Sequence, residues 1–189
     1  MTTVYARDVQ VNLCFSDADS NLIAIVDMPI GEAAEIADGG DLLREWEDEY
    51  GHMAGSVAFI ELGGYSELPR IMRPESVAQL VALAEVCEDL DAYGVSLEVY
   101  ATYMDEFGYD RGDYPEVGRV NDAVRYVGWE LQEFYEELFW QRKRNVVPRN
   151  ISDYIDFEGW FNSEARDAFT IAELDGYAIR HYVVFWAHM

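Results

Sequence analysis

The chain has 189 residues, a length that suits one ordinary domain or two to three small ones, and half of those residues are hydrophobic, which excludes an intrinsically disordered chain. Its formal net charge is −24, from 37 acids and 13 bases, which excludes an ordinary nucleic-acid or anionic-membrane binder and points to basic partners. No apolar run approaches the ~18 residues of a membrane span. The opening MTTVYARDVQVNLCF has no basic segment ahead of a long apolar one, so a cytoplasmic location is expected.

Two strands are expected first, VQVNLCF (9–15) and NLIAIVDM (21–28), around the turn SDADS. Residues 41–50, DLLREWEDEY, read as a helix with Leu42, Leu43 and Trp46 at helical spacing and its carboxylates largely on the other side. SVAFIEL (56–62) is a third strand, ended by Gly63–Gly64. Pro74 suits the first turn of a helix whose apolar face is Val77, Leu80, Val81, Ala84 and Cys87 and which Gly94 ends. A second helix covers 95–107, and GYDRGDYP (108–115) is a turn or linker where we place a boundary.

From Val117 the apolar positions Val117, Val120, Val124, Val127, Leu131, Phe134 and Leu138 alternate three and four apart, as in a heptad seam. Such a seam serves an internal core helix or a self-association surface. Gly128 weakens a single helix there by about 1 kcal/mol. The cluster Arg142, Lys143, Arg144 falls at the expected helix C-terminus, where cations complement the dipole. Residues 150–163 form a further helix capped by Asn150 or Ser152. DAFTIAEL and GYAIRHYVVFW then read as two strands joined by an Asp175–Gly176 turn. The expected class is α+β, with an N-terminal sheet-plus-helix domain (1–73), a central helical domain (74–114) and a C-terminal domain of helices and a small sheet (115–189).

Signals for catalysis fail one by one. His52, His181 and His188 fit no zinc spacing, and Cys14 and Cys87 read as two buried free thiols, so no metal or other cofactor is expected. DADSN (17–21) begins like a calcium loop, but it lacks the glycine and has Met28 where the closing glutamate belongs. There is no phosphate-binding loop, dinucleotide fingerprint or serine nucleophile elbow. A carboxylate pair able to serve a glycosidase arises by chance among 37 acids, so it carries no weight, and no enzyme is expected. Tyr100, Tyr103, Phe134, Trp140 and Trp160 sit on apolar faces and read as core or subunit interface rather than as platforms for sugars or bases.

What remains is the acid. Residues 1–73 hold 14 acids against 4 bases, residues 74–114 hold 10 against Arg111 alone, and residues 115–189 hold 13 against 8. Halophilic or highly soluble proteins also have few lysines, and this chain has only Lys143, but they spread their carboxylates evenly. The concentration in 41–50 and 85–113 favours imitation of DNA phosphates. Duplex DNA carries one charge per ~1.7 Å, so 24 charges match about 41 Å of duplex. A round globule of this length has a radius of gyration of roughly 16 Å, so the imitation requires an elongated molecule.

Several stretches resemble the ArdA antirestriction family of mobile elements and phages. VQVNLCF…NLIAIVDMPI is similar to its opening strand, loop and strand. AFIELGGY (58–65) resembles its A-I-H-D-Y-E-G-F strand, with Glu61 where the family has Asp and without the family's His and following Glu. AVRYVGWELQEFYEEL (123–138) resembles its helix, Tyr-x-Gly turn and second helix through Tyr126, Gly128 and Phe134, which argues for a break at Gly128. VPRNISDYIDFEGWF (147–161) matches its Y-I-D-Y-E signature through Tyr154, Ile155, Asp156, Phe157 and Glu158, and the Arg-Asp that follows in the family looks like Arg166–Asp167, displaced by a few residues.

The resemblance implies an elongated, curved homodimer with three small domains per chain. It would occupy the DNA groove of a type I restriction–modification enzyme and block restriction and often modification, without binding nucleic acid or membrane itself. The phosphate-mimicking set is then Asp41, Glu45, Glu47, Asp48, Glu49, Glu61, Glu85, Glu88, Asp89, Asp91, Glu98, Asp105, Glu106, Asp110 and Asp113. The C-terminal dimer contact falls to Tyr126, Phe134, Trp140, Tyr154, Phe157 and Trp160. The alternative is an acidic interaction protein that inhibits another DNA-binding or defence protein.

Overall fold

Alternation of apolar and polar residues makes β1 (Gln10–Ser16), whose Val11 and Leu13 are fully buried while Asn12 between them is half-exposed. The computed structural model describes residues 6, 9–16, 22–38, 59–63, 68–174, 177 and 179–187, and of residues 14–16, 22–24 and 59–63 the backbone alone. The chain is α+β and divides into two units, residues 1–118 and 119–189. In the first, β1 is the middle strand of an antiparallel sheet, between β2 (Leu22–Pro29) and β3 (Phe59–Gly63). The expected helix at 41–50 and the turn at 17–21 lie outside the described residues, as do residues 56–58 of the third expected strand.

One helix was not anticipated. α1 (Ile30–Ala37) starts directly after β2 and buries Ile30, Ala33, Ala34 and Ile36. It packs against α2 (Val77–Tyr93), which buries Leu80, Leu83, Ala84, Cys87 and Leu90. Small alanines let the two helices approach closely, and this packing joins the helices of 74–114 to the N-terminal sheet instead of leaving them as a separate central domain. Ser76 caps α2, its hydroxyl accepting from the Gln79 N–H at 3.2 Å, while Gln79 accepts in turn from the Glu75 N–H at 2.7 Å. Pro74 therefore precedes the cap rather than opening the helix. Gly94 ends it in the left-handed conformation, φ 70°.

α3 (Leu97–Glu106) is capped by Ser96 and buries Val99, Tyr100, Ala101, Tyr103 and Met104. The buried Tyr100 hydroxyl donates to the Pro115 carbonyl at 2.6 Å, and the Tyr114 hydroxyl donates to the Met72 carbonyl at 2.9 Å, so the C-terminal end of the 108–115 turn is fastened twice. Cys87 is a buried free thiol, and desolvation, helped by the nearby Asp91 carboxylate, pushes it up to about 12, so it stays protonated and unreactive at neutral pH. The Cys14 side chain is outside the described residues.

The expected seam from Val117 to Leu138 does not exist as one surface. α4 (Val117–Ala123) is followed by β4 (Val124–Gly128) and then by α5 (Leu131–Lys143). Val124, Arg125 and Val127 include two β-branched residues, which favour a strand once β6 (His181–Trp186) offers a pairing edge. The second sheet has the order β4-β6-β5, antiparallel throughout, with β5 at Phe169–Leu174. Leu174 pairs with His181, and the Asp175–Gly176 turn expected between the two strands lies outside the described residues. The helix expected over 150–163 is two elements, a 3-10 turn at Arg149–Tyr154 and α6 (Phe157–Glu164). Asp156 caps α6, accepting from the Gly159 N–H at 2.8 Å, so neither Asn150 nor Ser152 is its cap.

Aromatic side chains fill the second core. Phe134, Tyr135, Leu138 and Phe139 of α5 meet Phe157 and Phe161 of α6, together with Phe169 and Val184 of the sheet. Phe134 meets the Phe169 ring edge-on at 5.3 Å, and Tyr135 stacks on Phe161 at 4.5 Å. Tyr126 fastens β4 to the start of α5, its hydroxyl donating to the Glu130 carbonyl at 2.7 Å. That phenol lies over Gly128, where any Cβ would overlap it. Gly128→Ala is expected to lower the stability of the full chain by about 1–3 kcal/mol in urea denaturation, because the phenol must leave its bond or the turn must open. Unchanged stability would show that the clamp does not constrain the turn.

Candidate partner-binding surface

An α-helix turns 100° per residue, so Glu85, Glu88 and Asp89 share one face of α2. All three are exposed, and the buried Leu80, Leu83, Cys87 and Leu90 lie on the opposite face. α3 repeats the arrangement, with Glu98, Asp105 and Glu106 exposed on the side away from Tyr100, Tyr103 and Met104. Asp110 and Asp113 are exposed in the following turn, which is closed by a 3.0 Å bond from the Asp113 N–H to the Asp110 carbonyl. Gly108 and Gly112 stand at φ 71° and 82° in that turn, a conformation that residues with a Cβ adopt at a cost.

The one base of this stretch is already engaged. Arg111 pairs with Glu75 and its Nε donates to the Arg73 carbonyl at 2.7 Å. Among the described residues no ion pair reaches Glu85, Glu88, Asp89, Glu98, Asp105, Glu106, Asp110 or Asp113. These eight carboxylates therefore stand without a counter-charge among the described residues.

Asp91 differs from the rest of the predicted set. It is partly buried and accepts from the Ala6 N–H at 2.8 Å, across 85 positions of sequence. It tethers the N-terminal segment to α2 and is a structural carboxylate. Of the other predicted positions, Asp41, Glu45, Glu47, Asp48 and Glu49 lie outside the described residues, and Glu61 is placed on β3 without a described side chain. Sequence reasoning missed a further group. Glu32 and Glu35 are exposed on α1, and Asp27 and Asp38 are exposed beside it. The spacing Ile30, Ala33, Ala34 was the signal for that helix, but its alanines were too weakly hydrophobic to stand out.

The charge follows the division of the chain. Residues 1–118 hold 25 acids against 5 bases, and residues 119–189 hold 12 against 8. α3 spans about 12 Å between Glu98 and Glu106 and presents three carboxylates, where duplex DNA of that length carries about seven charges. No single helix reaches phosphate density.

The predicted dimer contacts do not form one surface either. Phe134 and Phe157 are buried in the core of the second unit and are not available to a partner. Tyr126, Trp140 and Trp160 are half-buried against that core, and Tyr154 is 89% exposed. The indole N–H of Trp160 is buried with no acceptor, and its ring meets Phe139 edge-on at 5.1 Å.

Among the described residues, no three His, Cys, Asp or Glu side chains gather as a metal site, and no helix is long and apolar enough to cross a membrane. Comparison of the chain with protein-family models, characterised proteins and solved structures returns no match. The arrangement of the acids thus bears the weight of the functional reading.

Structural and displayed carboxylates should separate on substitution. Asp91→Ala is expected to cost about 1.5–3 kcal/mol of stability, since it leaves the Ala6 N–H without its charged acceptor. Glu88→Gln and Asp89→Asn are expected to stay within about 0.5 kcal/mol of the parent. Urea denaturation of the three variants checks this, and equal losses in all three would contradict the distinction.

Proposed function

We propose that the protein is a non-catalytic, DNA-mimicking antirestriction protein that occupies the DNA-binding groove of a type I restriction–modification enzyme. One observation carries the proposal: eight exposed carboxylates of α2, α3 and the 108–115 turn have no basic partner among the described residues. A globular protein that needed acid for solubility alone could balance it more nearly with bases, as residues 119–189 do with 12 acids and 8 bases. Here the surplus is concentrated in one unit, and six of the eight displayed carboxylates stand on helices, so little conformational entropy is lost when cations dock on them. The resemblance to ArdA supports the identity of the target and its location in a bacterial cytoplasm.

In this mechanism the enzyme's Lys and Arg side chains, which hold DNA phosphates, meet carboxylates instead. Counterions are released from both surfaces, and long-range attraction steers the encounter. Each exposed ion pair contributes about 1 kcal/mol or less, so no single acid dominates.

Unmodified phage plated on a host with an active type I system tests the proposal. Expression of the protein is expected to raise plating efficiency by at least about tenfold. Single amide substitutions at Glu85, Glu88, Asp89, Asp105 or Glu106 should each weaken binding by at most about fivefold, whereas the five together should remove protection. Plating that stays restricted with the parent chain would overturn the proposal. Loss of all protection from one such substitution in a folded protein would overturn its distributed mechanism.

A further inference from the structure

The second unit carries a surface that the displayed acids do not use. A shallow groove of about 430 Å3 runs along the exposed stripe of α5, a volume within the roughly 300–1,000 Å3 of small-ligand sites. Its lining includes Glu136, Glu137, Trp140, Arg144 and Arg149. Their order follows from the helix. Glu136 and Glu137 stand one turn before Trp140, and Arg144, the residue that ends α5 and still has α backbone angles, stands one turn after it. Arg149 opens the following 3-10 turn and brings its guanidinium to 5.7 Å from the Trp140 ring. All four charged residues are exposed, and among the described residues none of them is in an ion pair. Gln141 Nε2 donates to the Glu137 carboxylate at 3.1 Å and holds it in place. Trp140 is half-buried, with Phe139 and Phe157 of the core meeting its ring edge-on at 5.2 and 6.3 Å. The groove therefore has an end of hydrogen-bond acceptors, an aromatic floor and a cationic end.

We infer that this groove binds a guanine mononucleotide. The match runs from end to end. An ionised carboxylate only accepts hydrogen bonds. Guanine presents two parallel donors on one edge, N1–H and the exocyclic N2–H, which one carboxylate accepts together. Adenine has a bare ring nitrogen in the same place and turns an acceptor towards the carboxylate, so the acidic end selects guanine. The base rests on the exposed part of the indole, as bases do on aromatic side chains in single-strand sites. Arg144 and Arg149 take the phosphate, whose oxygens suit the planar guanidinium fork. From Glu137 to Arg144 is about 10 Å along the helix axis at ~1.5 Å per residue, a span that one nucleotide bridges with the reach of the side chains. One phosphate suits the site better than a strand does, because Glu133 also lines the groove and the chain's net charge of −24 repels a polyanion. The surplus acids of residues 1–118 take no part, so the inference does not rest on the antirestriction reading.

Isothermal titration of the full chain with guanosine monophosphate, adenosine monophosphate and guanosine tests it. Guanosine monophosphate is expected to bind once per chain. Adenosine monophosphate lacks the paired donors and guanosine lacks the phosphate, and each is expected to bind at least about tenfold more weakly. Glu136→Gln combined with Glu137→Gln should remove the preference for guanine over adenine. Arg144→Gln should weaken guanosine monophosphate by at least about fivefold and leave guanosine unchanged. Circular dichroism verifies each fold, and the comparison of the three ligands on the parent chain needs no variant. Absence of binding at millimolar guanosine monophosphate would overturn the inference. Equal affinity for the two monophosphates, or for guanosine with and without its phosphate, would do the same. Tighter binding of a guanine-containing RNA oligonucleotide than of the mononucleotide would give the groove to a strand and also overturn it.

Discussion

Uncompensated carboxylates repel one another, and this repulsion is the constraint under which the first unit is built. Twenty-five acids against five bases in residues 1–118 oppose compaction. What holds the unit is apolar burial beneath the charge. Leu80, Leu83, Cys87 and Leu90 of α2, Tyr100 and Met104 of α3, and Ile30 and Ala33 of α1 are all fully buried. The fastening bonds of Tyr100, Tyr114 and Asp91 are placed where elements distant in sequence must be kept together. The charge is displayed by a core strong enough to tolerate it, and Arg111, the one cation in the densest stretch, joins the turn to Glu75 instead of neutralising the surface.

The second unit follows another rule. Its core is aromatic, its 12 acids are more nearly balanced by 8 bases, and the Tyr126–Gly128 clamp organises the passage from β4 to α5. Aromatic rings in edge-on and stacked contact give a small unit more burial per residue than aliphatic side chains would. That accounts for the Phe and Tyr side chains of α5, α6 and β5 that form this core.

Legibility varied with the kind of signal. Strands and helices with strong period-2 or period-3.6 patterns, such as β1, α2 and α3, were readable because burial alone dictates them. The Val117–Leu138 run was misleading, since β-branched valines spaced three and four apart satisfy a helix on paper while their β-propensity and the free edge of β6 draw residues 124–128 into a sheet. Alanine-rich α1 was overlooked, and with it the exposed Glu32 and Glu35. Most of the acidic surface was legible from charge density, but composition does not tell a displayed carboxylate from one that holds backbone. Asp91 is the example, because its partner Ala6 lies too far away in sequence to be foreseen.

The central claim is that these carboxylates stand where DNA phosphates would otherwise stand. Equilibrium competition tests it most directly, by titrating the protein into a complex of a purified type I restriction–modification enzyme with a fluorescent duplex carrying its recognition site. The account predicts stoichiometric release of the duplex, with an apparent affinity that falls steeply as salt rises. An enzyme that keeps its DNA at saturating protein, or binds both together, would contradict it.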